Sequence, residues 1–349
     1  MSFDAVVRVL AGTVVISALC QAVVTGRHGT LPSSLFPDVR LSGTEVRDLY
    51  HGKIIVKVLD SQAASELVVF AGSRIDVSPQ RFVDAIRHSA RLWRAANIPR
   101  SGTFGTPVRL ADIAEMRLPP DDLDALGKCQ PGDCDVKLTR PEISRLRAVV
   151  KRTPGERRST AQREFRLVIL DRIHTYIRAG LPGLSPFHDQ EPPIDPDRAF
   201  TGLLSSAQIV SERVQGLIGY LKHYPHQPLP DGAEDHLYWL ETVHPPRPTI
   251  QASHVVISRS TGKEPIEVAV VSRQVFATHY MNASLAATVL VRTRSGERFL
   301  LYLNRTSADD LGGVFSGVKR FFVKRRVRSG AHEAFLHLKK HIESYPGQP

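Results

Sequence analysis

The sequence predicts an α+β fold, and two stretches of the chain carry the prediction. In the C-terminal third, Ile250 to Ser258, Ile266 to Asn282, Leu285 to Thr293 and Phe299 to Asn304 are rich in β-branched and aromatic residues. Thr261-Gly262-Lys263 and Arg294-Ser295-Gly296-Glu297 read as turns between them, so these runs form an antiparallel meander. Ala331, Phe335, Leu338 and Ile342 then recur at spacings of four, three and four, which closes the chain with a helix. Nearer the start, two β-rich runs lead directly into a second capped helix.

Taken in order, the chain opens on Val9 to Val24, an uncharged apolar run preceded by Arg8. That is the shape of an export signal, with Ala22 or Gly26 as cleavage points. A spanning helix needs about 20 apolar residues, so residues 1–26 are read as a signal peptide or an N-terminal anchor. Residues 27–40 form a Pro, Ser and Gly-bearing linker, and 41–349 form the folded domain. Leu41 to Tyr50 is a short helix. Ile54 to Leu59 and Glu66 to Val77 are β-rich and pair as a hairpin or one broken strand. Ser78 supplies an N-cap and Pro79 the first helical position, with Phe82, Ile86, Ala90 and Trp93 along one face.

In the middle of the chain strands are expected at Val108 to Leu118 and Asp135 to Leu138. Phe165, Ile169, Ile173 and Ile177 form a helical ladder, and Phe200 to Leu221 reads as one long helix bounded by Pro-rich breaks. Helices are expected to dominate from about 141 to 240.

A strand pair, an immediate helix beginning Ser78-Pro79, antiparallel strands and one long terminal helix resemble the helix-grip fold of the START and polyketide-cyclase superfamily. The most similar segments are Val69 to Trp93 and His254 to Ile342, and the overall impression is of a secreted bacterial branch. The resemblance implies a curved sheet around the C-terminal helix with an apolar cavity between them for lipids, sterols or polyketides. The long helical stretch departs from that pattern and would be an insertion or a lid. No catalytic residue set carries over.

Within this frame Val275 to Ser284 reads as a strand with Phe276, Thr278, Tyr280, Asn282 and Ser284 on one face and His279 on the other. A few polar groups in an apolar pocket orient a ligand. Tyr280, His279, His254, Phe276 and Asn282 are therefore the ligand-binding candidates, each weighed against an ordinary hydrogen-bonded sheet position. A His254 and His279 pair would suit proton transfer, the basis of a cyclase- or hydrolase-type alternative; a structural or interaction role in the cell envelope is a third reading. Gly312-Gly313 lacks the Lys and Ser or Thr of a phosphate loop, so no nucleotide cofactor is expected.

Cys129 and Cys134 enclose Gln-Pro-Gly-Asp, and outside the cytoplasm they would form a disulfide; two thiolates alone fall short of a zinc set, so no metal is expected. The chain carries 46 Lys and Arg against 35 Asp and Glu, a net charge of +11 that favours acidic partners. Its most concentrated basic stretch lies just before the terminal helix: Lys319, Arg320, Phe321, Phe322, Lys324, Arg325 and Arg326. These residues suit contact with an anionic membrane surface, or one solvated helix face. Nucleic acid is not expected for an exported chain. The overall reading is a periplasmic or secreted protein that holds a lipid-like or other hydrophobic ligand.

Overall fold

The structure, a computed structural model, describes residues 35–346 apart from 62, 64, 89–97, 153–156, 208, 210, 244–246, 261, 263 and 310–315. Side chains are described except at 152, 157 and 316–324. The expected export segment, most of the linker, Ala90 and Trp93 lie outside the described residues. Gly43–Tyr50 (α1) begins at a reciprocal cap, in which the Ser42 hydroxyl accepts from the Glu45 amide and Glu45 accepts from the Ser42 amide. Ile55–Leu59 (β1) and Glu66–Arg74 (β2) are the expected antiparallel pair. Ser78 caps Pro79–Arg87 (α2) by accepting from the Arg81 amide at 3.1 Å.

The middle differs from expectation. The strand expected at Val108 to Leu118 is a 3-10 turn, Leu110–Ile113, and Asp135 to Leu138 belongs to no strand. A short strand, Arg100–Thr103 (β3), stands ahead of them. Helices follow at Pro120–Ala125 (α3), Arg140–Arg152 (α4) and Arg157–Ala179 (α5). The single long helix expected over Phe200 to Leu221 is two helices, Pro196–Ser206 (α6) and Glu212–His223 (α7). Asp195 and Ser211 each cap the helix that follows, so the second cap starts a new helix where the first has ended. Ala233–Thr242 (β4) then occupies the end of the stretch expected to be helical.

Thr249–Arg259 (β5), Ile266–Ala277 (β6), Met281–Arg292 (β7) and Arg298–Ala308 (β8) form the C-terminal meander. Ser316–Ser344 (α8) closes the chain, and it includes the basic stretch that was expected to precede the helix. Among the described residues the strands make one antiparallel sheet in the order β1-β2-β8-β7-β6-β5-β4-β3.

Strand alternation gives this sheet two faces, and each has its own core. On one, Val69, Val255, Val270, Leu290 and Leu300 pack with Phe82 of α2 and with Phe335 and Ile342 of α8. On the other, Phe70, Trp239, Val256, Val271 and Leu301 pack with Phe165 and Ile173 of α5, Phe200 of α6 and Leu217 of α7. The helical stretch is therefore a second layer behind the sheet. It does not lie as a lid over the face that α8 occupies.

Candidate functional site

Central strands of a sheet covered on both faces should present fully buried side chains. Behind the sheet they do: Val271, Ala287, Val289, Leu301 and Leu303 are all buried. On the α8 face Ser272 of β6, Ala286 and Thr288 of β7, Tyr302 and Asn304 of β8 and Tyr238 of β4 are only half-buried. Helix α8 explains the difference. Phe335 and Ile342 seat its C-terminal half, whereas from Arg325 to Ala334 only Val327 and Ala331 are half-buried and the rest are exposed. We take this partly accessible strip, on the α8 side of the sheet, as the candidate groove. The Tyr238 phenol hydrogen-bonds with Ser253 and Ser272, the Tyr302 phenol with Asn304, and burial raises the pKa of both. Both are neutral hydroxyls at physiological pH.

A buried polar chain stands behind the sheet. Arg273 of β6 is fully buried and its Nη2 donates to the Tyr176 hydroxyl of α5. Tyr176 lies 2.7 Å from His254 Nδ1, and His254 Nε2 lies 2.7 Å from Asp235 Oδ2, which also accepts from Tyr220 at 2.6 Å. The Asp235 end fixes the directions. A carboxylate can only accept, so His254 donates from Nε2, and in the neutral ring Nδ1 then accepts from the Tyr176 hydroxyl. Burial lowers the His254 pKa and keeps the ring neutral. For Asp235 burial acts upward, but the bonds from His254 and Tyr220 outweigh it and hold the carboxyl below its usual range. Burial pushes Tyr176 up to about 12. Gly180, at φ +67°, ends α5 where a Cβ would lie 2.1 Å from the Tyr224 carbonyl oxygen. Only glycine lets that segment approach, and it sets the Tyr224 ring 4.6 Å from His254.

No family model matches the sequence, and no curated protein does. Among solved structures, TTHA0849 from Thermus thermophilus aligns at 9% identity and a TM-score of 0.26, covering 44% of this chain and 92% of that one. The di-domain ARO/CYC BexL from the BE-7585A biosynthetic pathway aligns at 13% identity and 0.24, covering 38% and 45%. Ara h 8.0201 aligns at 12% identity and 0.18, covering 43% and 90%. These partial likenesses leave the site to be read from its own residues.

The structure separates the residues the sequence singled out. Val275 to Ser284 is not one strand: β6 ends at Ala277, and Thr278, His279 and Tyr280 make the turn into β7. Tyr280 takes the left-handed conformation, φ 61°, at the surface. His279 Nε2 lies 2.8 Å from Asp122 Oδ2, and Arg247 bridges Asp122 and Asp135 at 3.0 Å each. His254 and His279 thus hold different carboxylates, and both nitrogens of His254 are taken. Phe276 is buried behind the sheet, 5.0 Å from the Arg172 guanidinium. His254 and Phe276 therefore face away from α8, because the alternation that puts Ser253 and Val255 on the groove turns His254 over. The bulge between Ala252 and Ser253 carries Phe276 to the same side. Of the five ligand-binding candidates, Asn282 sits half-buried at the irregularity between Met281 and Ala283 that opens β7.

Cys129 and Cys134 form a disulfide with Cα atoms 4.4 Å apart. Arg325 and Arg326 are exposed on α8, while Lys319, Arg320, Phe321, Phe322 and Lys324 lie outside the described side chains. Among the described residues no helix is long and apolar enough to cross a membrane, and no group of three or more His, Cys, Asp or Glu could hold a metal ion. The sequence reading missed Tyr238, Tyr302 and Gln274 on the groove and Tyr176, Asp235 and Arg273 behind it. Tyr302 and Asn304 could have been found, since they share a face of an expected strand. Tyr176 gave no signal, because its partner His254 is 78 residues away.

Proposed function

We propose that this chain is an exported binding protein of helix-grip type that holds a lipid-like or other hydrophobic small molecule between its sheet and α8. The observation that carries the reading is the half-buried middle of the sheet on the face where α8 packs through only part of its length. Apolar walls with a few placed hydroxyls are the usual make-up of a small-molecule site. The Cys129–Cys134 disulfide fits an oxidising compartment outside the cytoplasm. The exposed arginines of α8 would hold the protein at an anionic membrane where such a ligand is exchanged.

Native mass spectrometry of the purified protein, before and after organic extraction, tests the reading. The expected result is a bound mass that extraction removes and that Thr288→Trp, which fills the groove, prevents from binding. Protein that is always empty, with Thr288→Trp no different in its binding of added lipid, would count against it.

A further inference from the structure

We infer that the groove takes an uncharged amphipathic ligand bearing a hydrogen-bond donor, a hydroxyl or N–H, and that Gln274 accepts from it. The inference rests on the groove reading above and adds the chemistry of what fills it. Gln274, on β6, is 5% exposed, and its Nε2 donates to the Met281 carbonyl at 3.3 Å. A carbonyl can receive only the NH2 end of the amide, so this contact fixes the side chain's orientation. Its Oε1 is then left buried with no partner, and so is Oδ1 of Asn282 at the start of β7. Strand alternation puts Gln274 on the face of Ser272, whereas Asn282 sits at the irregularity between Met281 and Ala283.

The neighbouring hydroxyls do not answer these acceptors. Asn304 Nδ2 donates to Ser284 at 3.0 Å, Ser284 meets the Thr306 hydroxyl at 3.1 Å, and Thr306 donates to Asn304 Oδ1 at 2.6 Å. The three side chains close a ring in which Ser284 and Thr306 spend their only protons. The buried Gln274 Oε1 therefore faces the groove unpaired, a costly state that a ligand donor relieves. A carboxylate has no proton to give the unpaired Gln274 Oε1 and would set a second acceptor against it, so a fatty-acid carboxylate is disfavoured at this end.

Three probes of one shape decide the point: naphthol, which donates, methoxynaphthalene, which only accepts, and naphthoate, which is anionic. Binding is followed by their fluorescence with the full chain. Naphthol should bind about tenfold more tightly than methoxynaphthalene, with naphthoate weakest. Gln274→Leu should bring naphthol to the level of methoxynaphthalene and leave methoxynaphthalene unchanged; Gln274→Met, closer in length and shape, gives the same readout if Gln274→Leu does not fold. Equal binding of naphthol and methoxynaphthalene, or a preference for naphthoate, would overturn the donor inference while the groove stands. Failure of all three to bind would overturn the groove reading and the inference with it.

Discussion

Arg273 holds a full charge inside the protein, with Nε and Nη1 unpartnered and the rings of Tyr176 and Phe200 each 5.1 Å from its guanidinium. Cation–π attraction supplies part of what water would have given. The rest reaches it through Tyr176 and His254 from the Asp235 anion. This arrangement depends on a neutral His254, because a protonated ring would turn Nδ1 from acceptor to donor against Tyr176. The linkage has a definite sign. His254 titrates below its ordinary 6.5 in the folded protein, so the unfolded chain takes up the proton first as pH falls. Its contribution is complete above about 6.5 and is lost as pH drops through the folded value. Urea unfolding at pH 7.5 and 5.5, conditions on either side of about 6.5, should show lower stability at the acid pH. His254→Gln, which keeps a donor for Asp235, should shrink that difference; an unchanged difference would show that the ring does not titrate with folding.

Single elements differ in how firmly they are held, and α8 shows this within one helix. Phe335 and Ile342 are buried against β-strand residues and α2, and His341 hydrogen-bonds the Ala85 carbonyl at 3.2 Å. Ahead of Ala331 the described side chains are exposed except Val327. Phe335→Ala should therefore cost about 3 kcal/mol of stability and Val327→Ala under about 1 kcal/mol, measured by denaturant unfolding. Similar costs at both positions would mean the helix is seated evenly and the groove is closed. Elements with local signatures were legible in the sequence: Ser78-Pro79 opens a helix, and the alternation of β5 through β8 is plain. The chain from Val275 to Ser284 misled because its alternation runs on through the turn, and Tyr280 takes a left-handed conformation without a glycine to announce it. Strand β4 was obscured by Glu234, Asp235 and Glu241, whose charges are satisfied by partners far along the chain, such as Arg87 and Arg100. The groove was hidden for the same reason. Which face of a strand meets α8 depends on bulges and packing that no local pattern records.

For the molecule as a whole, the sheet divides the labour between its faces. The helical layer behind it is dense and tied to the strands through Asp235, His254 and Arg273, while the front carries a groove beneath a partly seated helix. A net charge of +11 acts on the whole body, but its effect at a membrane depends on where the cations point. Arg325, Arg326 and Arg328 are exposed on the same stretch of α8 that leaves the groove open. Each basic residue near an anionic bilayer contributes about 1 kcal/mol, within a Debye length of about 8 Å at physiological salt. Sedimentation with phosphatidylserine-containing vesicles should therefore show binding that weakens steeply as salt is raised. Reversing the three arginines to Glu should lower the affinity by more than about tenfold while native circular dichroism is kept. Equal binding to phosphatidylcholine vesicles, or no loss in the triple variant, would separate the groove from any membrane and leave the ligand to arrive through water.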